Sequence, residues 1–222
     1  SLQKSGILKI KIYAMIENGP DVDYYINQGP YKTDRLNVRS VKVLADGALG
    51  SRGASMIDEY SDRKGYYGLM LTPADSIRSL AFKLAGTGFQ MNTHAIGDNA
   101  NRVVLNAYRD ALFNYRDPRW RVEHAQVLKE DDIQLFNQKI IPSVQPTHAT
   151  SDMYWAEDRL GERVKGAYAF KDLLQYSKRV ALGTDFPVEK VNPFHTFYSS
   201  VARKDVSGYP ESGYQIENSL SR

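Results

Sequence analysis

Hydrophobic and polar residues alternate along six short stretches of the chain, and helical patterns separate most of them. Alternation with a period of two is typical of a strand that buries one face. It predicts strands at residues 6–15, 41–46, 89–94, 120–126, 140–145 and 179–185. Apolar residues spaced three or four apart predict amphipathic helices. Such patterns occur at residues 72–86, 97–111, 130–137, 152–160 and 167–176, and again from residue 192 onwards.

The order of these elements predicts the fold class. Five of the six predicted strands alternate with helices, which favours parallel strands joined by right-handed crossovers. An open doubly wound sheet would normally carry a G-x-G-x-x-G motif after a strand, and this chain has none. Barrel enzymes instead collect functional residues at the carboxyl ends of several strands. We therefore expect an α/β fold of the (β/α)8 TIM-barrel type, with about six of the eight strands present.

Composition narrows the function classes. A chain of 222 residues with 42% hydrophobic content suits one compact domain. The formal charge of +3 comes from scattered Lys and Arg, so nucleic acid is not an expected partner. No apolar run is long enough to cross a membrane and the first residues lack a signal-peptide pattern, so the chain as given is expected to be soluble, with its compartment open. Without cysteine, a metal site would have to use His, carboxylate or modified Lys ligands.

Three predicted strands end in side chains that can bind a metal ion. His94, His124 and Asp185 stand at these ends, and Lys42 lies inside the strand at residues 41–46. Two imidazoles and a carboxylate can hold Zn²⁺ or a similar ion with one position open, which lowers the pKa of a bound water to about 7. Asp185 could accept the proton of that water and pass it to a leaving amine. This chemistry suits amide hydrolysis.

Each candidate also has a structural alternative. A single histidine at a strand end is more often a hydrogen-bonded structural residue, and Asp185 could cap a following helix. Lys42 on an inward face is costly unless it is paired, for example with Asp46, or chemically modified. His148 follows a strand and could either contact substrate or have no role in function.

A long irregular insert follows the strand at residues 41–46. Residues 47–68 are rich in glycine and polar side chains, and a long insert in a compact domain is more often functional than not. We expect it to lie over the site, to bury little apolar surface and to be more mobile than the strands. Arg52 within it is a candidate substrate contact. Arg159 and Arg163, four residues apart on a predicted helix, are favoured as salt-bridge partners over anion ligands.

Six motifs follow one another along the chain: DGALGSR at 46–52, THAIGD at 93–98, RVEHAQ at 121–126, QPTH at 145–148, RLGER at 159–163 and LGTDFPVE at 182–189. In their order and spacing they resemble the metal-dependent amidohydrolase superfamily. Within it the resemblance is to the branch, amidohydrolase family 3, that includes N-substituted formamide deformylases. The likeness runs from residue 41 to residue 203.

The resemblance implies a barrel with a metal site at its mouth. In such proteins the ligands are a His-x-His on the first strand, a lysine that is often carboxylated, two single histidines and a final aspartate. Carried over by motif, Lys42 is the lysine, His94 and His124 are the histidines, and Asp185 is the aspartate. The expected cofactor is one or two divalent ions, with zinc favoured and iron or manganese as alternatives.

The His-x-His has no counterpart, because the four histidines are residues 94, 124, 148 and 195. We therefore expect residues 1–222 to be a partial barrel domain of a longer hydrolase, without its first strands, closing helices and small β domain. Exposed edges would favour self-association, and the chain alone is expected to be inactive. The expected parent activity is hydrolysis of a C–N bond in a small amide or formamide. The alternative is a non-catalytic scaffold or binding module.

Overall fold

The structure is a computed structural model that describes residues 5–221. The strands are β1 (Ile12–Glu17), β2 (Tyr31–Lys32), β3 (Leu36–Leu44), β4 (Gln90–Ala95), β5 (Trp120–His124), β6 (Ile140–Val144) and β7 (Ala181–Leu182). The α-helices are α1 (Val22–Gln28), α2 (Ala74–Leu84), α3 (Asp98–Ala111), α4 (Glu130–Ile133), α5 (Pro146–Asp152), α6 (Ala156–Leu160), α7 (Phe170–Ser177) and α8 (Pro193–Ala202). Short 3-10 helices span Gly161–Gly166 and Ile216–Asn218.

The strands form one sheet whose order follows the chain. β1, β3, β4, β5, β6 and β7 pair in parallel in that order, and β2 adds an antiparallel partner to β3. The six parallel strands curl into half of a barrel. The predicted α/β fold with an incomplete TIM-barrel-like sheet is therefore confirmed.

The outer face of the sheet carries the apolar core. Val41 and Val43 of β3 are buried on this face, and α2 and α3 pack over the neighbouring strands. Trp120 is fully buried, and its Nε1 donates to the carbonyl oxygen of Phe89 at 3.1 Å. Its ring meets Tyr108 edge to face, with centroids 4.9 Å apart. These contacts fix β4 against β5, so that the carboxyl ends of the two strands lie side by side.

Several strand boundaries differ from prediction, and each difference has a local cause. β1 starts at Ile12 instead of residue 6, because its pairing with β3 begins there, and Ile10 is 67% exposed. β5 ends at His124, where the backbone turns to positive φ. The last strand shrinks to Ala181–Leu182, since only these residues pair with β6.

The insert at residues 47–68 buries more apolar surface than predicted. Leu49, Ala54, Met56 and Tyr60 are buried within it, and the Tyr60 hydroxyl donates to the carbonyl oxygen of Ala54 at 2.8 Å. The expectation that this segment has little apolar surface to bury is therefore wrong. Its aromatic and aliphatic residues pack inward because the segment folds back on the end of the sheet instead of extending into solvent.

Three arginines tie this insert in place. Arg52 donates to both carboxylate oxygens of Asp62, at 2.9 and 2.7 Å, and Arg159 also pairs with Asp62. Arg163 Nη1 donates to the carbonyl oxygen of Asp58 at 2.9 Å. Arg159 of α6 forms the predicted kind of ion pair, whereas Arg163 in the following 3-10 helix donates to backbone carbonyl oxygens of the insert and has no ion pair among the described residues. None of the described helices has the length and apolar character that a membrane crossing needs.

Candidate metal centre

A cavity of about 760 Å³ opens at the carboxyl ends of the parallel strands. Its polar lining includes Lys42, His94, His124, His148 and Asp185, which come from four strand ends and the start of α5. Its walls are completed by apolar residues and by four further polar side chains: Leu44, Ala48, Leu49, Gly50, Ile96, Gln126, Ser151, Asp152, Trp155, Val188 and Glu189. The structure thus brings together the four side chains that the sequence proposed as metal ligands. Arg52 does not line this cavity, and its guanidinium is engaged with Asp62.

His94 and His124 form the centre of this cluster. Their ring centroids lie 4.4 Å apart at an interplanar angle of 69°. His94 ends the inward-facing row of β4, and its Nε2 lies 3.5 Å from the carbonyl oxygen of Gly47 and 3.5 Å from Asp46 Oδ1. Because these neighbours are acceptors, the Nε2 atom is the one that carries the proton.

His124 reaches the same cavity by a different route. Its φ of 74° and that of 45° at Ala125 are left-handed, a conformation that costs energy for residues other than glycine. The turn aims the imidazole away from the direction that strand alternation would give it. His124 Nδ1 lies 2.8 Å from Gln145 Oε1, within hydrogen-bond distance.

The other ring nitrogens are free to bind a ligand. Within residues 5–221, neither His94 Nδ1 nor His124 Nε2 has a hydrogen-bond partner. Burial is the main cause that lowers the pKa of each imidazole to about 3, with smaller effects from neighbouring imidazoles and from Lys42. Both rings are therefore neutral at physiological pH, which is the form that coordinates a metal ion.

The lowered pKa of His94 predicts a pH effect on stability in the metal-free protein. Its pKa is about 3 when folded and 6.5 when unfolded, so the unfolded chain binds more protons between these values. Stability from this group is present above pH 6.5 and is lost as the pH falls. We expect His94→Gln to reduce the drop in unfolding free energy between pH 7 and pH 5 by up to about 2 kcal/mol.

Urea unfolding in EDTA at the two pH values measures this difference. Asp46 and Asp152 act in the opposite direction, because burial raises their pKa to about 7 and about 6. The comparison therefore uses the slope of unfolding free energy against pH in each protein. The two aspartates are present in both proteins, so their contribution cancels when the slope of the variant is subtracted from that of the wild type. Equal slopes in the two proteins would contradict a buried, neutral His94.

Lys42 and Asp185 stand at the edges of the cluster. Burial lowers the pKa of Lys42, and the charges of Glu123 and Asp185 partly oppose this shift. The alternative pairing of Lys42 with Asp46 is not formed among the described ion pairs. Asp185 is exposed beyond β7 with a φ of 53°, and a turn closes there as Val188 N donates to its carbonyl oxygen at 2.8 Å. Its side chain caps no described helix.

His148 adds a third imidazole from the first turns of α5. Its ring stacks on that of His124, with centroids 6.0 Å apart and planes 8° from parallel. Burial lowers its pKa, and its Nε2 is buried without a hydrogen-bond partner in the described part of the chain. Buried polar atoms almost always have a partner, so this nitrogen is the clearest sign that a further group belongs in the cavity.

Gln126, Asp152 and Tyr168 form a hydrogen-bonded group in the cavity wall that no sequence pattern indicates. Asp152 Oδ2 accepts from Gln126 Nε2 at 3.1 Å and from the Tyr168 hydroxyl at 2.7 Å. Burial raises the pKa of Asp152 to about 6. Gln126 belongs to the RVEHAQ motif, but its partners are distant in the chain, so only the fold could reveal this contact.

The donor set fits a divalent metal ion at the two histidines. Among residues 5–221, no three His, Asp or Glu side chains are gathered closely enough to form a complete metal cluster. The pair of neutral imidazoles, each held by an outer acceptor and each with one free nitrogen, is nevertheless the usual arrangement of metal-binding histidines. Lys42 and Asp185 lie in the same cavity and could complete the coordination.

This half-barrel with histidines at its strand ends belongs to the amidohydrolase family, whose sequence profile matches residues 10–222. Two solved structures from archaea have the same architecture. An uncharacterized metal-dependent hydrolase from Pyrococcus furiosus matches with a TM-score of 0.82 at 29% identity, over 97% of this chain and 45% of that one. Another from Pyrococcus horikoshii OT3 matches with a TM-score of 0.84 at 29% identity, over 99% of this chain and 44% of that one.

Two curated proteins are related in sequence. "Protein LONG AFTER FAR-RED 3" of Arabidopsis thaliana is 35% identical over 187 residues, which are 82% of this chain and 32% of the relative. "Putative amidohydrolase YtcJ" of Bacillus subtilis (strain 168) is 35% identical over 188 residues, which are 83% of this chain and 34% of the relative. The chain spans about a third of the length of these curated relatives.

Proposed function

We propose that this chain carries the metal-binding part of a hydrolase that cleaves C–N bonds in small amides. The observation that carries the proposal is the pair of neutral histidines, each with one ring nitrogen free, in a single cavity at the strand ends. Membership of the amidohydrolase family supports the reaction class. Both archaeal structures of similar fold are described as metal-dependent hydrolases, which supports the metal.

His94 and His124 would hold the ion, with Lys42 and Asp185 as further ligands. A divalent ion held by these residues would polarise a substrate carbonyl and lower the pKa of water. Zinc is the favoured ion, and iron or manganese suits the same nitrogen and oxygen donors. A carboxylated Lys42 would supply an anionic oxygen, and burial, which lowers the pKa of Lys42, increases the share of neutral amine that this modification requires.

The remaining side chains suit proton transfer and substrate binding. Asp185 is exposed at the cavity and can accept a proton from water and then donate it to the leaving nitrogen. The unpartnered Nε2 of His148 can bind the substrate carbonyl oxygen or its amide N–H, according to its tautomer. Trp155 and Leu49 give the cavity an apolar wall that excludes water from one side of the bound amide.

The finer proposal is that the substrate is an N-formyl or N-acyl amine, by resemblance to the N-substituted formamide deformylases. The test is to measure bound metal in the complete hydrolase that contains this chain and to assay that hydrolase on a panel of N-formyl and N-acyl amines, with and without chelator. Stoichiometric metal, with turnover that is lost on chelation and restored by Zn²⁺, is the expected result. Full activity in the chelated protein would overturn the proposal. Ligand binding without turnover in the metal-loaded protein would favour a scaffold or binding module.

A further inference from the structure

We propose that Gln145 is a positioning residue that holds His124 in the tautomer with the proton on Nδ1, so that the Nε2 lone pair stays available to a metal ion. The inference goes beyond the proposed function, since it concerns the imidazole itself and holds whether or not turnover is observed. It rests on three features of the Gln145 side chain: its contact with His124, the fixed orientation of its amide, and its place in the fold.

The contact itself is short and buried. Gln145 Oε1 lies 2.8 Å from His124 Nδ1, and both residues are 8% exposed. A hydrogen bond of this length in a site from which water is largely excluded decides which ring nitrogen carries the proton. In water the two neutral tautomers of histidine coexist, so a fixed acceptor is needed to select one of them.

The orientation of the Gln145 amide is decided by a second contact. Its Nε2 donates to the carbonyl oxygen of Ser143 at 3.4 Å. Because a backbone carbonyl can only accept, the NH₂ group belongs on the Ser143 side and the oxygen belongs on the His124 side. The reversed amide would place NH₂ against His124 Nδ1, which would then have to accept and would carry no proton. The carbonyl of Ser143 therefore sets the tautomer of His124 through Gln145.

Gln145 is well placed for this role because three elements meet at it. It follows β6 directly and precedes α5, where its carbonyl oxygen accepts from His148 N at 3.0 Å. It also faces His124, whose left-handed backbone frees the side chain from the direction that the pleat of β5 would impose. Because His124 lies on such a turn, its hydrogen-bond partners orient its side chain more than the strand does. The loss of Gln145 should therefore change the orientation and the tautomer of the His124 ring.

The direct test is long-range proton–nitrogen NMR of the metal-free protein labelled with ¹⁵N-histidine, which distinguishes the two neutral tautomers. The His124 signals are assigned by their absence in His124→Ala. In the wild type we expect His124 to show the proton on Nδ1. In Gln145→Met, which keeps side-chain length and removes the acceptor, we expect a mixed tautomer or the proton on Nε2. We also expect Zn²⁺ affinity to be about 10- to 100-fold weaker, the range found for outer partners of metal ligands.

Two variants separate positioning from a general structural role. Gln145→Glu retains an acceptor and should keep the wild-type tautomer, although it loses the bond to Ser143. Gln175→Met makes the same change at an exposed position of α7 and should leave both the tautomer and Zn²⁺ affinity unchanged. The proton on Nε2 of His124 in the wild type would overturn the proposal even if Gln145→Met failed to fold. So would a Gln145→Met protein that keeps the wild-type tautomer.

Discussion

Replacing His124 with alanine is expected to weaken Zn²⁺ binding by more than about 100-fold, which exceeds the loss caused by removing an outer partner of a metal ligand, and to abolish turnover in the complete hydrolase. His124 supplies one of the two free imidazole nitrogens, 4.4 Å from the ring of His94. The variant also leaves Gln145 Oε1 without its donor, which costs about 1–3 kcal/mol of stability in a buried site. Isothermal titration with Zn²⁺ measures the first effect and urea unfolding the second.

His195→Ala provides the matched control. His195 lies in the first turn of α8 and lines a neighbouring cavity of about 340 Å³ instead of the one that holds the histidine pair. It is the one histidine of the described chain outside the main cavity, so its removal should change metal affinity by less than about twofold. Equal losses in the two variants would mean that the metal binds elsewhere or that the effect is on folding.

The sheet could be predicted from the sequence because its two faces differ so clearly. Val41 and Val43 are buried against helices while Lys42, between them, faces the cavity, as alternation with a period of two requires. The same rule placed His94 at the inward end of β4. Such patterns lie within one short segment, so they can be recognised in the sequence without knowing which strands are neighbours in the sheet.

The parts that could not be predicted depend on contacts between distant segments. The left-handed backbone at His124 and Ala125 could not be predicted locally, because residues other than glycine seldom adopt positive φ, even though His does so more often than most. The ion pair of Arg159 with Asp62 joins residues 97 positions apart in the chain. The same carboxylate pairs with Arg52, which gives Arg52 a role other than the predicted substrate contact. The burial of Tyr60 likewise depends on how the insert folds back on the sheet.

Among the contacts that could not be predicted from the sequence, the hydrogen bonds of Asp46 are expected to contribute most to stability. The sequence suggests Asp46 only as a partner for Lys42, but its carboxylate accepts hydrogen bonds from three backbone N–H groups. Ser55 N and Gly97 N donate to Oδ2, both at 2.8 Å, and Ile96 N donates to Oδ1 at 3.0 Å. One buried side chain thus joins the end of β3, the insert and the turn that follows His94.

Replacing Asp46 with alanine is therefore expected to lower the free energy of unfolding by about 3–5 kcal/mol. Three buried N–H groups would lose their acceptor, at about 1–3 kcal/mol for each one left unsatisfied, and entering water would recover part of this. The loss is a large share of the 5–15 kcal/mol that usually stabilises a domain. Urea unfolding of the metal-free protein gives the free energy, and hydrogen exchange at Ser55, Ile96 and Gly97 shows whether the opening is local.

Two further variants serve as comparisons for Asp46→Ala: Asp46→Asn, which keeps part of the hydrogen bonding, and Asp34→Ala, which is an exposed control. The asparagine variant keeps one carbonyl oxygen, and with that oxygen in the place of Oδ2 it still accepts from Ser55 and Gly97, so the expected loss is about 1–2 kcal/mol. Asp34 is exposed, and its replacement should change stability by no more than about 0.5 kcal/mol. A loss at Asp46→Ala no larger than that at Asp34→Ala would show that water replaces the carboxylate at no cost. His94 would then be held in place by Gly47 and by the packing of β4 alone, without help from the Asp46 carboxylate.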